Sequence, residues 1–156
     1  MGREPEQSME TIVRPAAQDD AVAIAALLGE LGYPTEVERV AARIERALQT
    51  NADAVLVVTR REAVCACASM HLLPLFHRDG FLARITSFVV TRSEQRRGVG
   101  SALHAACEAF AREHGAERLE VTSGDRRVDA HAFYEHAGYE REGVRMVCWL
   151  VGPGRR

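Results

Sequence analysis

No stretch of 18 or more apolar residues occurs in the chain, and Met1–Met9 is polar and acidic-leaning without an apolar signal core. A membrane-spanning helix needs about 20 apolar residues, and a secretory leader needs an apolar core of its own. The expectation is therefore a soluble, cytoplasmic protein with a disordered leader over residues 1–9, Met9 as an alternative start, and a tail over 153–156. An excess of one charge is also missing. Lys and Arg number 20 against 22 Asp and Glu, a formal net charge of −2, which points to neither nucleic acid nor a membrane as a partner. Cysteine is scarce: four residues, Cys65, Cys67, Cys107 and Cys148, with no Cys-x-x-Cys and no paired histidine to complement them. Free buried thiols are expected, not a disulfide framework or a metal site. Two apart in a strand, Cys65 and Cys67 should pack on one shared face. Internal repeats and low-complexity segments are absent as well, which excludes a solenoid.

What is present is enough apolar content, 47% of 156 residues, to build a single core, and one domain over residues 10–152 follows. Thr11–Arg14 is β-branched and stops at Pro15, as an edge strand does. Val22, Ile24, Ala25, Leu27, Leu28 and Leu31 recur at a helical period behind Asp19 and Asp20, until Gly32-Tyr33-Pro34 breaks the pattern. Thr35, with Glu38 three residues on, reads as the cap of a second helix reaching about Gln49. Ala54–Thr59 and Ala63–Leu72 read as a hairpin turned at Arg60-Arg61-Glu62. Phe81–Val90 is apolar enough for a central strand buried on both faces. Ser101–Glu113 carries Leu103, Ala106, Cys107 and Phe110 on one helical side and ends at Gly115. Arg118–Thr122 alternates as a strand, Val128–His136 is a short helix closed by Gly138, and Tyr139–Glu142 with Arg145–Val151 make a last hairpin around Gly143.

Chemistry concentrates between the central strand and the helix that follows it, in Gln95-Arg96-Arg97-Gly98-Val99-Gly100. The first N–H groups of a helix have no internal partner and carry the positive end of the macrodipole, so an anion is their natural occupant. Gly98 and Gly100 let a polyanion approach the main chain, while Arg96 and Arg97 add forked donors. A P-loop needs Gly-Lys-Ser/Thr, and this loop runs on as Gly100-Ser101-Ala102. A dinucleotide fingerprint needs a third glycine where Leu103 stands, although Glu120 has roughly the spacing of its acidic partner. A tight turn without a ligand remains open on the loop alone.

Downstream lies Ala130-His131-Ala132-Phe133-Tyr134-Glu135-His136-Ala137-Gly138-Tyr139. Gln95, Arg97, Gly98 and Gly100, followed by Phe133, Tyr134, Gly138 and Tyr139, together resemble the Gcn5-related N-acetyltransferase (GNAT) superfamily over residues 11 to 151. The resemblance implies an α/β (α+β) single-domain acyl-CoA N-acyltransferase fold, with a mixed, mostly antiparallel sheet, flanking helices and a splayed central strand pair. It also implies a function: transfer of an acetyl group from acetyl-CoA, without a metal, to the primary amine of a small molecule or peptide. Under it the pyrophosphate falls to Gln95, Arg96, Arg97, Gly98, Val99, Gly100 and Ser101, and the pantetheine to the backbone of Phe88, Val89 and Val90. Tyr134 becomes the acid that protonates the leaving thiolate, a role open to a phenol that keeps its proton at neutral pH. The oxyanion falls to a backbone N–H near Val90.

The chain departs from the family in two places. Relatives often carry a glutamate in the strand before the loop, but Arg84-Ile85-Thr86-Ser87-Phe88-Val89-Val90 holds no carboxylate. Water relayed by Thr86 or Ser87, or Glu120 on the next strand, are the substitutes for a base. Arg127 stands where many relatives have asparagine and is a candidate cofactor contact, with a solvated helix start as the plain reading. His131 and His136 fall five apart and do not share a face at metal-ligand spacing. His71 and His77 flank a loop that lines the acceptor site in relatives. Glu30, at the end of the first helix, is placed to attract an amine or simply to be solvated. The missing glutamate keeps a second reading alive, a non-catalytic acyl-CoA-binding or regulatory module, and a homodimer is open on the same resemblance.

Overall fold

The computed structural model describes residues 10–151, so the leader assigned to 1–9, Met9 as a start, and the tail assigned to 153–156 lie outside the described residues. Two compact units divide the chain, one up to Thr122 and one from Ser123. The first holds all five strands: β1 (Thr11–Pro15), β2 (Asp53–Arg60), β3 (Ala63–Pro74), β4 (Phe81–Val90) and β5 (Ala116–Val121). It also holds α1 (Ala21–Leu31), α2 (Val37–Leu48) and α3 (Val99–Glu113). The strands form one sheet in the order β1-β2-β3-β4-β5. Its first three pairings are antiparallel, and β4 with β5 is parallel. β2, β3 and β4 follow one another through short connections, α1 and α2 lie between β1 and β2, and the parallel pair needs a crossover, which α3 provides.

Side-chain alternation along the strands produces two cores. Leu56, Val58, Ala66, Ala68, Met70, Ala83 and Ile85 face Val99, Leu103, Cys107 and Ala111 of α3. Val57, Cys67 and Val89, on the opposite face, meet Ile24 and Leu27 of α1 and Val40 and Ile44 of α2. The spacing of four between Val40 and Ile44 puts both on one helical stripe. The result is a sheet covered by helices on both faces, as the mixed α/β reading expected.

A bulge overturns one expectation. Val58 pairs with Ala66, but Thr59 pairs with Val64, leaving Cys65 as the extra residue of β3. The inserted residue breaks the period-2 rule. Cys65 therefore lies in the α3 core and Cys67 in the α1/α2 core, on opposite faces of the sheet. Cys148 departs too: it is exposed, while the other three thiols are buried.

Local chemistry explains the remaining differences. Before α1 the chain forms a 3-10 turn at Gln18–Asp20. Both carboxylate oxygens of Asp20 accept from Arg14, at 2.7 and 2.9 Å, and one also accepts from the Ala17 N–H at 2.7 Å. At α2 the N-cap is Glu36, not Thr35; the Thr35 hydroxyl donates backward to the Tyr33 carbonyl. β4 is not buried on both faces along its length, because Phe81 and Thr86 are exposed and Arg84 is half-buried.

In the second unit α4 (Val128–His136) forms as expected, with Gly138 in the left-handed region at φ 95° just past its end. The last hairpin does not form: residues 139–151 carry no strand. Val144, Met146, Val147, Trp149, Leu150 and Val151 are exposed. An apolar run becomes a strand only where a ladder and a buried face exist, and a two-stranded hairpin alone is marginal in water.

Candidate active site

β4 ends at Val90, and the chain then makes a 3-10 turn at Arg92–Glu94 before α3. Two carboxylates pin that turn. Glu30, near the end of α1, accepts from the Thr91 hydroxyl at 2.7 Å and from the Arg92 N–H at 3.2 Å. Glu94 pairs with Arg60 at the end of β2. Glu30 is exposed yet engaged: it anchors the loop, a role that needs the fold to bring residues 61 apart together. Gln95, though exposed, folds back on the strand end, its Nε2 donating to the Val90 carbonyl at 3.1 Å.

With its start fixed, the loop presents its centre to solvent. Arg96 adopts φ 61° and Gly98 φ 80°, and Arg96, Arg97 and Gly98 are all exposed. Gly98 is the N-cap of α3, and no side chain caps that terminus. The first helical bond of α3 runs from the Ala102 N–H to the Gly98 carbonyl at 3.0 Å. The amides of Val99, Gly100 and Ser101 precede it, so they are the first-turn donors that a helix cannot satisfy from within. No atom lies within 4 Å of where a Gly98 Cβ would stand. The helix end that these amides form carries positive partial charge, and the exposed Arg96 and Arg97 precede it in the chain, features that favour an anion.

The strand edge leading to this loop has a second property. β5 accompanies β4 only from Phe81↔Ala116 to Ile85↔Val121, whereas β4 continues to Val90. The two parallel strands part company at that point. Phe88, Val89 and Val90 lie on the β4 segment beyond the fork, still paired with Ala68, Cys67 and Ala66 of β3 on the other side. A bulge marks the same level: Ser69 pairs with Ser87 and Met70 with Ile85, which leaves Thr86 as the extra residue.

In the second unit, Tyr134 is buried within α4. Its ring meets Phe133 edge-on at 5.3 Å between centroids and Tyr139 at 5.2 Å. Gly138 makes this cluster by turning the chain back: the Tyr139 N–H donates to the Tyr134 carbonyl at 2.9 Å, the bond of a helix closed through a left-handed residue. Arg127 is the exposed N-cap of α4, and its carbonyl accepts from the His131 N–H at 3.0 Å.

Among the substitutes for a strand carboxylate, Glu120 fares poorly. Burial pushes its carboxyl upward, but Arg84, at 2.8 Å, and Arg118, at 2.8 Å, outweigh it and hold the group below its ordinary value. Locked between two guanidiniums, it is a weak proton acceptor. Thr86, by contrast, is hydrogen-bonded to His71: Nε2 lies 2.8 Å from its hydroxyl, and the Ser69 hydroxyl lies 2.9 Å from the same oxygen. The other ring nitrogen, Nδ1, is 2.7 Å from a carboxylate oxygen of Asp53. Sequence reasoning singled out His71 and Thr86 separately and missed Asp53. The cross-strand register Asp53↔His71 that joins them has no local signature beyond an acidic residue at the head of a strand. No group of three or more His, Cys, Asp or Glu suited to a metal occurs among the described residues, and no helix among them is long and apolar enough to cross a membrane.

The model of the acetyltransferase (GNAT) family matches residues 20–139. An aminoalkylphosphonate N-acetyltransferase of Salmonella typhimurium is 30% identical over 140 residues, which span 86% of this chain and 88% of that protein. Among solved structures, glucosamine-6-phosphate N-acetyltransferase of Arabidopsis thaliana superposes with a TM-score of 0.80 at 18% identity, covering 91% of this chain and 99% of that one. A transcriptional regulator of Bacillus halodurans C-125 superposes with a TM-score of 0.78 at 20% identity, over 89% and 100%. At such identities the two structures speak for the fold alone.

Proposed function

Since the chain belongs to the acetyltransferase (GNAT) family, we propose that it transfers an acetyl group from acetyl-CoA directly to the primary amine of a small molecule or peptide. The observation that carries this reading is the start of α3, where an uncapped N-terminus opens through a left-handed Gly98 onto empty space. The residues fit the diphosphate of a CoA thioester: the amides of Val99, Gly100 and Ser101 would hold it, with Arg96 and Arg97 beside them. The β4 edge beyond Ile85, where β5 has ended, suits the amide-rich pantetheine. Bound there, acetyl-CoA would supply the activated acyl carbon.

Tyr134 is assigned the proton that the leaving sulfur needs, and a main-chain N–H near Val90 the developing oxyanion. Arg127 is assigned a cofactor contact at the start of α4. The Salmonella typhimurium relative acts on an aminoalkylphosphonate by its name, which makes that class of amine the first acceptor to assay. The test is CoA release from acetyl-CoA over a panel of primary amines, aminoethylphosphonate included, with calorimetry of CoA alone. Turnover is expected, and Tyr134→Phe should lower kcat by roughly 100-fold while leaving CoA affinity at the parent value. CoA binding with no turnover on any amine would favour the non-catalytic module instead.

A further inference from the structure

We infer that His71 is the general base of this site, taking up the acceptor ammonium's proton through the Thr86 hydroxyl, with Asp53 and Ser69 as positioning residues; the inference rests on the acetyltransferase reading above. Four observations converge on it. First, Thr86 is the bulged residue of β4, exposed, one position past the last β4–β5 pair, Ile85↔Val121. Bulges re-aim side chains and recur beside active sites. Second, the Thr86 hydroxyl is held between His71 Nε2 at 2.8 Å and Ser69 Oγ at 2.9 Å.

Third, Asp53 lies 2.7 Å from His71 Nδ1. A carboxylate accepts only, so Nδ1 carries the proton and Nε2 is left as the acceptor. The Thr86 proton then points to Nε2, and its oxygen is left to take another from an incoming amine or its water. Fourth, the alternative carboxylate on this face is occupied. Asp53, His71, Arg84 and Glu120 form one register row across four strands. Arg84 and Arg118 neutralise Glu120 at its far end, so the row offers its proton acceptor at His71. These charged groups, Asp53 on β2, Arg84 on β4, and Glu120 with Arg118 on β5, are what the imidazole faces across the sheet.

The protons balance. An ammonium acceptor carries three N–H protons and the amide product keeps one. Of the two lost, one leaves on the CoA thiol and one goes to solvent, and the second is the one His71 carries. The step removes the positive charge before the nitrogen lone pair attacks.

The test is kcat/KM against pH for the parent and for His71→Gln, Thr86→Val, Thr86→Ser and Asp53→Asn, with aminoethylphosphonate and with hydroxylamine, which is mostly uncharged at neutral pH. His71→Gln is expected to lose roughly 100-fold and the acidic limb of the profile with aminoethylphosphonate. It should lose little with hydroxylamine, which needs no base, and CoA affinity should be unchanged. Thr86→Val should follow it and Thr86→Ser should restore activity, while Asp53→Asn should move the acidic limb. The imidazole 15N spectrum of the parent should show the proton on Nδ1. Parent-like turnover by His71→Gln, an equal loss with both amines, or a proton on Nε2 overturns the assignment while the acetyltransferase reading stands. A parent that transfers acetyl to no amine overturns both.

Discussion

Substituting Gly98 separates what the backbone needs from what a ligand needs. Gly98 sits at φ 80°, ψ −1° with nothing within 4 Å of an added Cβ, so an alanine there meets no clash and is disfavoured only by the left-handed backbone. That penalty is about 1–2 kcal/mol; at 156 residues, each kcal/mol corresponds to a fall in Tm of about 2–4 °C. Asparagine tolerates the left-handed region far better than other non-glycine residues, so Gly98→Asn should melt close to the parent. Both variants nevertheless put a side chain into the open space beside the α3 N-terminus. If a diphosphate docks there, each loses at least one charge-assisted amide bond, about 1.5–3 kcal/mol, which is roughly 10- to 150-fold in Kd. Calorimetric titration with CoA, beside a melting scan, reads both quantities. A Gly98→Asn protein that binds CoA as tightly as the parent would refute the main-chain cradle. A Gly98→Ala protein that melts at the parent temperature would refute the strain argument.

Three further outcomes follow from the geometry. Removing the loop anchor with Glu30→Ala should raise hydrogen exchange at the Arg92 amide, which donates to Glu30 at 3.2 Å, and cost about 1 kcal/mol in denaturant melts; unchanged exchange would mean that Glu30 anchors nothing. A disulfide reagent should label Cys148 quickly and the other three thiols only on unfolding. Burial pushes Cys67 and Cys107 up to about 12 and raises Cys65 as well, and more than one fast thiol in the native state would contradict that packing. Asp20 is held below its ordinary value of 3.8, chiefly by its hydrogen bonds from Arg14 and against an upward push from burial. A depressed carboxyl contributes stability that is complete above its unfolded value and is lost as pH falls through the folded one. Asp20→Asn should therefore lower stability at neutral pH and flatten its decline below about pH 4; an equally steep acid limb would exclude the Arg14 pair as a source.

Periodicity and punctuation determine the elements of this protein directly from the chain. Val128–His136 is written by its pattern and by Gly138, the strand over Ala63–Leu72 by its β-rich run, and the glycine opening of α3 by two glycines next to an apolar run, because each depends on chemistry within a few residues. The fold class and the family were legible for the same reason: the motif residues Gln95 to Gly100 and Phe133 to Tyr139 are contiguous. Only tertiary structure decided the rest. Two one-residue bulges put Cys65 and Cys67 on opposite faces and pushed Thr86 out of register, and a bulge is a property of paired strands that neither strand carries alone. Glu30 became the anchor of a loop 61 residues away, and Asp53 and His71 met through cross-strand register. The last hairpin illustrates the reverse case, since residues 146–151 are all apolar, as a buried strand would be, yet carry no ladder. Local pattern sets which side chains can share a face; which partner stands opposite is set by the packing of the whole sheet.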